Sequence, residues 1–375
     1  MSKTSTSQVH TRERRDLYHE ADVVVVGAGV FGCAAAFALA NQGRSVLLLE
    51  RWLHEPDRIV GELLQPGGLT ALRKLGLGHC VENIDAIPCY GYNVIYHGEP
   101  CAIPYPSLNE KGEVTHAWGG RGTGGTKQEG CGFHHGKFIA QLRKACLGHK
   151  NITVVETEVV KTIRGEHTDQ ILGVETRTTV NKETGEKKSD YFFGQLTIPP
   201  SGLVILGDAL NMRHPLTGGG MTVAFNDALL LAELLHPDRI PNLEDTAAIR
   251  DAMHKLYWRR KNFTSIINTL AQALYSLFAA NDRQLRALQM GCFEYFRRGW
   301  TDGPAGLLGG IIQRPLVLAY HFFYVAFVAI WMNACNVIGG PLGFWKLPLA
   351  LIDAVLILWK ACIVFLPVIW REGFQ

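Results

Sequence analysis

DVVVVGAGVFGCAAAFALANQGRSVLLLE, residues 22–50, is the stretch whose reading decides the fold. Its first five residues are a β-branched run, too short for a helix and suited to a parallel strand buried on both faces. The run enters Gly27-Ala28-Gly29-Val30-Phe31-Gly32 and then the alanine-rich CAAAFALANQG, which predicts a helix ending near Gly43. Ser45 to Leu49 predicts a second strand, closed by Glu50. Strand, GxGxxG, helix, strand and acidic residue stand in the order that a dinucleotide site requires. Gly27, Gly29 and Gly32 permit a tight turn and close backbone approach to a pyrophosphate. The helix N-terminus adds free N–H groups and a positive dipole, and Glu50 stands where ribose hydroxyls need an acceptor. This motif alone does not separate FAD from NAD, because both place adenosine in the same way.

A second glycine-rich element separates them. Leu203 to Leu206 (LVIL) reads as a strand, followed by Gly207-Asp208-Ala209, then RHPLTGGGM at 213–221, then a helix over Thr222–Leu235. That is the late element with which FAD hydroxylases hold the ribityl chain and flavin ring. Asp208 can accept a ribityl hydroxyl, and Gly218-Gly219-Gly220 let backbone N–H groups approach at a helix start. No second strand–GxGxxG–helix unit is present in the sequence, so a dedicated NAD(P)H domain is not visible.

Working outward, 375 residues predict two or three domains at about 150 residues each. With 47% hydrophobic and 19% charged residues, the chain is not of a disordered class. A formal charge of +3 gives no argument for nucleic acid. Nine cysteines without a CxxC pair suit a reduced compartment better than a disulfide framework. Residues 1–20 read as a polar, disordered leader. At the other end, 315–335 and 347–370 are apolar runs, the first without charge and holding His321, the second charged only at Asp353 and Lys360. Roughly 20 apolar residues suffice to cross a bilayer, so the C-terminus is expected to attach to membrane lipid, spanning it or half-immersed. His134-His135 lack a metal-binding spacing and are expected to be structural, with no metal site predicted. Gly119 to Gly125 lacks the Lys-Ser/Thr of a P-loop and reads as a flexible loop, and 181–188 reads as a solvated hairpin turn.

Beyond these readings, the chain resembles the squalene epoxidase (squalene monooxygenase) family, in its fungal form. The resemblance rests on GAGVFG at 27–32, ERWLHEPDRIVGELLQPGG at 50–68, FHHGKFIAQLRKA at 133–145 and LVILGDALNMRHPLTGGGMTVAFND at 203–227. It continues through YWRRKNFTSIINTLAQALYSLFAAND and the apolar tail. It implies FAD contacts at Val30, Phe31, Glu50, Arg51, Arg58, Arg143, Val159, Asp208 and Met221, a functional tyrosine at Tyr92, and Gln65 as its hydrogen-bond partner. Arg58 and Arg143 also suit phosphate or flavin oxygens by charge and fork geometry. The implied reaction is epoxidation of squalene to 2,3-oxidosqualene with O₂ in sterol biosynthesis. NADPH–cytochrome reductase would supply electrons from NADPH, at the endoplasmic reticulum membrane with the flavin domain cytosolic. Two other readings stand beside it: a flavin hydroxylase for another lipid or aromatic substrate, and a catalytically impaired or silent member of the family.

The expected architecture is α/β: a Rossmann-type FAD domain of the flavin hydroxylase kind, a reduced substrate sheet, and a helical membrane-associated C-terminus. Its divisions are a leader over 1–20, FAD-binding segments over 21–90 and 199–240, a sheet remnant interleaved with flavin-domain elements over 91–198, and the helical region over 241–375. Strands are expected at 22–26, 45–49, 92–96, 152–159, 171–179, 190–198 and 203–206. The family continues after the counterpart of Ile198 into an acidic-glycine motif on the flavin pyrophosphate and a long substrate-domain block. Here Ile198 is followed directly by Pro199-Pro200-Ser201-Gly202 and LVILGD. Gly130-Cys131-Gly132, where the family tends to carry a basic residue, and the insertion around 119–128 also depart from its pattern.

Overall fold

Because its strands are apolar on both faces, the front sheet must be covered on both sides: helices cover the side of Val46 and Leu48, while Leu47 and Leu49 pack against Val174 and Phe192 of a second sheet. The computed structural model describes residues 3–374, except residues 60, 121, 123, 167–169, 182–184, 195–201 and 340–342. In chain order, α1 (Lys3–Tyr18) precedes a short strand Glu20–Ala21, β1 (Val23–Val26), α2 (Val30–Asn41) and β2 (Val46–Glu50). Then come α3 (Pro66–Lys74), the hairpin β3 (Gly91–Tyr96) and β4 (Glu99–Pro104), α4 (His135–Leu147) and β5 (Ile152–Glu156). β2 lies between β1 and β5 in a parallel sheet, with Val46 opposite both Val23 and Ile152.

β6 (Glu158–Arg164), β7 (Ile171–Asn181) and β8 (Glu186–Gly194) form an antiparallel meander, and Glu20–Ala21 runs parallel to the end of β8. The expected strand at 152–159 is thus two strands that break at Thr157 and belong to different sheets. The end of the strand expected over 190–198 lies outside the described residues. The strand expected at Leu203–Leu206 is not one: this segment joins no sheet, and the side chains of Leu203 and Ile205 are exposed. It has strand chemistry without a neighbouring strand to complete a ladder.

The leader also differs from expectation. Residues 3–18 form a helix, and its end is fixed because Arg15 is buried, donating from Nη2 to the Lys150 carbonyl (2.7 Å) and from Nε to Thr153 Oγ1 (3.2 Å).

α5 (Gly220–Leu234) packs across α2, where Ala35, Ala38 and Leu39 meet Phe225, Ala228 and Leu231 in the main core. Alanines on α2 let the two helices approach closely, so the front and rear glycine motifs come together. The rest is helical: α6 (Thr246–Phe278), α7 (Arg283–Arg297), α8 (Asp302–Leu308), α9 (Pro315–Ile338) and α10 (Leu347–Phe374). α6 and α7 meet at 113°. Residues 315–338 and 347–372 are long and apolar enough to cross a membrane. The charges of α10 turn toward the protein: Asp353 accepts from Arg283, and Lys360 bonds Asp282 at 2.6 Å.

Candidate active site

The front turn is built by exclusion. A Cβ at residue 32 would lie 1.8 Å from the Gly27 carbonyl oxygen, so only glycine fits there. Gly27 has φ +97°, and neither it nor Gly29 has any atom within 4 Å of a would-be Cβ, so the turn faces open space. Gly29 caps α2 without a side-chain hydrogen bond, leaving first-turn N–H groups available to a ligand. Glu50 holds the turn from the end of β2: Oε2 accepts from the Ala28 N–H at 2.7 Å, and Oε1 from Trp52 N–H at 3.2 Å. Arg143 of α4, buried, donates from Nε to the Ala28 carbonyl and from Nη1 to the His54 carbonyl, each at 2.9 Å, with Nη2 3.4 Å from Glu50. Two of its donors therefore shape the loop rather than standing free for a phosphate.

The rear turn meets the front one directly. Gly207, with φ +63°, lies so close to Phe31 that a Cβ would be 3.0 Å from the Phe31 Cβ. Asp208 follows, exposed at the start of a one-turn helix, and no described residue hydrogen-bonds its carboxylate. Gly218 is left-handed (φ +60°), and a Cβ there would stand 3.2 Å from the Gln65 amide nitrogen. Gly220 opens α5 with nothing within 4 Å.

Between these turns lies a cavity of about 1250 Å³. Gly27, Gly29, Val30, Phe31, Gly32, Arg58, Arg143, Asp208, Gly218, Gly220 and Met221, all expected at the cofactor, line it. Glu50, Arg51, Val159 and Gly219 do not line it. Glu50 acts on the glycine turn from behind. Arg51 is exposed, 3.5 Å from Glu158 and stacked over Trp52. Val159 packs with Val174 and Phe192 in the cluster between the sheets, and Gly219 backs onto Ile267 of α6.

Gln65 and Tyr92 are brought together beside the rear turn. Gln65, fully buried before α3, donates from Nε2 to the Thr217 carbonyl at 2.8 Å and to Tyr92 Oη at 2.5 Å. Since a carbonyl only accepts, Thr217 fixes the amide orientation. Gln65 Oε1 therefore faces Tyr105, whose hydroxyl donates to it at 2.5 Å. Tyr92 accepts from Gln65, and its own proton faces the Thr217 carbonyl at 3.5 Å with the Tyr105 hydroxyl beside it. Its O–H is the loosely engaged donor of the network. Burial pushes both phenols above their ordinary pKa, so both stay neutral at physiological pH.

Sequence reasoning did not single out Tyr105, Thr217 or Arg213. Tyr105 stacks edge-to-face with Tyr92 at 5.7 Å between ring centroids, a contact created by the β3–β4 hairpin. Arg213 lines the cavity and donates from Nη2 to the Asn211 carbonyl, but its buried Nε and Nη1 have no partner. Burial lowers its pKa to about 10, still cationic at neutral pH. Its place inside RHPLTGGGM was the available signal. His134 caps α4, accepting from Lys137 N–H, and the buried His135 bonds the Gly61 carbonyl. Gly122 N–H donates to Asp302 at 2.7 Å, tying the 119–125 loop to α8.

Open glycine turns, two helix N-termini without side-chain caps and a free Asp208 carboxylate face one cavity that the cationic Arg213 also lines, and they fit FAD. This constellation defines a flavin-dependent oxidoreductase of the monooxygenase fold. The FAD dependent oxidoreductase family model matches residues 22–55. The solved p-nitrophenol 4-monooxygenase of Pseudomonas putida is similar in fold, with TM-score 0.52 at 13% identity over 80% of this chain and 97% of that one. The squalene epoxidase family model matches residues 176–346. The squalene epoxidase of Gibberella zeae is 54% identical over 99% of each chain, and that of Aspergillus fumigatus is 38% identical over 99% of this chain and 98% of its own. The chain belongs to the squalene epoxidase family. The alignment with the Gibberella protein extends over 497 positions against 375 residues here, so on the order of 120 positions have no counterpart in this chain.

Proposed function

We propose that the chain is an FAD-dependent monooxygenase that epoxidises squalene to 2,3-oxidosqualene in sterol biosynthesis. The observation that carries this reading is the joining of the Tyr92–Gln65–Thr217 network to the rear glycine turn, at a cavity walled mainly by apolar side chains. A hydrocarbon offers no charge or hydrogen-bond donor, so recognition rests on apolar lining, and no acid–base dyad is needed to bind it. One atom of O₂ enters the alkene and the other leaves as water, which consumes two electrons and two protons. When bound and reduced, FAD would supply the two electrons that activate O₂, and O₂ itself supplies the atom transferred.

The chain's own residues supply position and polarity. Glu50 and Arg143 hold the front turn for the dinucleotide, Arg58 and Arg213 offer positive charge, Asp208 offers an acceptor to ribityl hydroxyls, and Val30, Phe31 and Met221 supply apolar contacts. Gln65 fixes Tyr92 so that its neutral O–H remains a donor at the reacting oxygen. Arg51 and Val159, which the family resemblance also implied, lie beside this set and act through β6 rather than at the cavity.

Electrons arrive from NADPH through a separate NADPH–cytochrome reductase, a reading supported by the single dinucleotide fingerprint. The two apolar helices support attachment to the endoplasmic reticulum membrane, with the flavin domain on the cytosolic side. The test is flavin reduction and oxidosqualene formation with NADPH, with and without added reductase, in detergent. Reduction slow alone and fast with the reductase, accompanied by oxidosqualene, is expected. Equally rapid reduction without the partner, or oxidation of a different lipid or aromatic in preference to squalene, would defeat it.

A further inference from the structure

We infer that Glu372, in the last turn of α10, is a positioning residue for the flavin site: it fixes Asn268, Asn268 fixes Asn211, and Asn211 holds the turn that carries Asp208 and Arg213. The inference rests on the reading of the cavity as an FAD site, and deepens it by giving that site a support from the apolar C-terminal helix. The rear turn needs one. Asp208–Asn211 is a single helical turn, and a first turn fixes several dihedrals for very few hydrogen bonds. Its Leu210 and Asn211 N–H groups both donate to the Gly207 carbonyl, at 3.2 and 3.0 Å. The Asn211 carbonyl accepts from Arg213 Nη2 at 3.0 Å, while the buried Nε and Nη1 of Arg213 have no partner among the described residues. That one bond orients the guanidinium at the cavity wall.

The support comes from α6 and α10. Asn268 of α6 donates from Nδ2 to Asn211 Oδ1 at 3.2 Å and to Glu372 Oε2 at 2.8 Å. A carboxylate only accepts, so Glu372 decides which way the Asn268 amide points, and both Nδ2 protons are then committed. Asn211 must answer with its oxygen. The bond to the carboxylate is the shorter of the two and charge-assisted, so Glu372 leads and Asn211 follows.

Glu372 stands where helix electrostatics alone would not put it, since a carboxylate in a last turn opposes the helix dipole. Lys261, seven residues before Asn268 on α6, offsets this and clamps the same turn, donating from Nζ to the Glu372 carbonyl at 2.6 Å. The carboxylate also belongs to the charge balance at Arg213. Asp227, Asp208 and Glu372 favour the Arg213 cation and Arg260 opposes it, although Arg260 is itself paired with Asp227 at 2.7 Å. Geometry and charge therefore run from the end of α10 to a residue of the cavity wall, so the rear turn is fully held only while α10 is docked along α6.

Amide hydrogen exchange in the full 375-residue protein, in detergent and without FAD, reads the link itself. Asn268→Leu cuts the side-chain link and leaves Lys261 on the Glu372 carbonyl. It should speed exchange at Leu210 and Asn211 by about tenfold, with Leu48 and Leu49 of β2 unchanged. Glu372→Ala should do the same, whereas Glu372→Gln, which still accepts from Asn268, should stay within about twofold of the parent. If Asn268→Leu also speeds Leu48 and Leu49, the fold has loosened, and the Ala and Gln variants at 372 decide the matter. Titration with FAD then reads the consequence. Asn268→Leu and Glu372→Ala should raise the Kd about fivefold or more and shift the visible absorption band of bound flavin, and Glu372→Gln should restore the affinity. Unaltered exchange at Leu210 and Asn211 in Glu372→Ala would overturn the inference. So would Glu372→Gln exchanging as fast as Glu372→Ala, or faster exchange with FAD affinity and spectrum unmoved. A parent protein that takes up no FAD would overturn the flavin reading and this role with it, and the cofactor-free exchange data tell the two failures apart.

Discussion

Asp208 sits at an exposed turn with an unengaged carboxylate, an arrangement that makes sense when a hydroxyl-bearing ligand completes it. Asp208→Ala should weaken FAD binding by about 1–3 kcal/mol, a Kd raised roughly 5- to 150-fold, read by flavin fluorescence titration. Unchanged affinity would remove Asp208 from the site. The family resemblance and its charge place Arg143 at the cofactor, and the structure shows that two of its donors hold the carbonyls of Ala28 and His54. His135 gives a pH handle. Burial lowers its pKa, opposed by its bond to the Gly61 carbonyl. A base with a depressed folded pKa binds fewer protons when folded, so its contribution is fully present above the unfolded value of about 6.5. It is lost as pH falls through that value and then through the lower folded one. His135→Gln should therefore flatten part of the loss of thermal stability on acidification, with His149 retaining a share in the same direction. An unaltered pH–stability curve would show that His135 titrates as in water.

Elements were legible where the pattern is local. The β1–α2–β2 unit follows its sequence residue by residue because β-branched runs, a glycine turn and an alanine helix each specify their own geometry. Leu203–Leu206 failed for the opposite reason: a strand needs a partner, and period and composition say nothing about whether one is present. The Tyr92–Tyr105 contact and the docking of Arg15 also depend on long-range pairing, which no single segment announces. The C-terminal helices were readable from their length, while the fate of their charges was not. Asp353 and Lys360, which disfavour a simple span, pair with Arg283 and Asp282 at the start of α7. Trp331, Trp345 and Trp359 are 66%, 80% and 65% exposed. Deleting residues 315–375 should release the protein from membranes, but it also uncovers Ile266 and Leu307, which pack with Val317, Leu318 and Phe365. Replacing Trp331, Trp345 and Trp359 together by Glu avoids that loss. The triple variant should move to the soluble fraction after a salt wash with its circular dichroism intact. If it still sediments with membranes, the anchor lies elsewhere.

For the molecule as a whole, binding and coupling separate. The glycine turns, Glu50, Arg143, Asp208 and the Gln65 network are all in place, so FAD should bind and be reduced. Coupled oxygen transfer asks more, because water must be excluded and the alkene held near the reacting atom. A misplacement of about 1 Å can cost on the order of a hundredfold. Here the cavity runs on past the glycine turns along β1 to the exposed Leu203 and Ile205, while the relatives have on the order of 120 positions without a counterpart in this chain. The same exposed apolar surface should favour association at high protein concentration. The 375-residue protein should therefore oxidise NADPH in the presence of reductase while releasing much of the oxygen as hydrogen peroxide, with little oxidosqualene formed per NADPH. Its relative from Gibberella zeae provides the coupled reference in the same assay. Reinserting that relative's block between Ile198 and Pro199 should raise oxidosqualene per NADPH and lower peroxide, without an equal rise in flavin reduction rate. Tight coupling by the chain as it stands would mean that residues already present close the cavity.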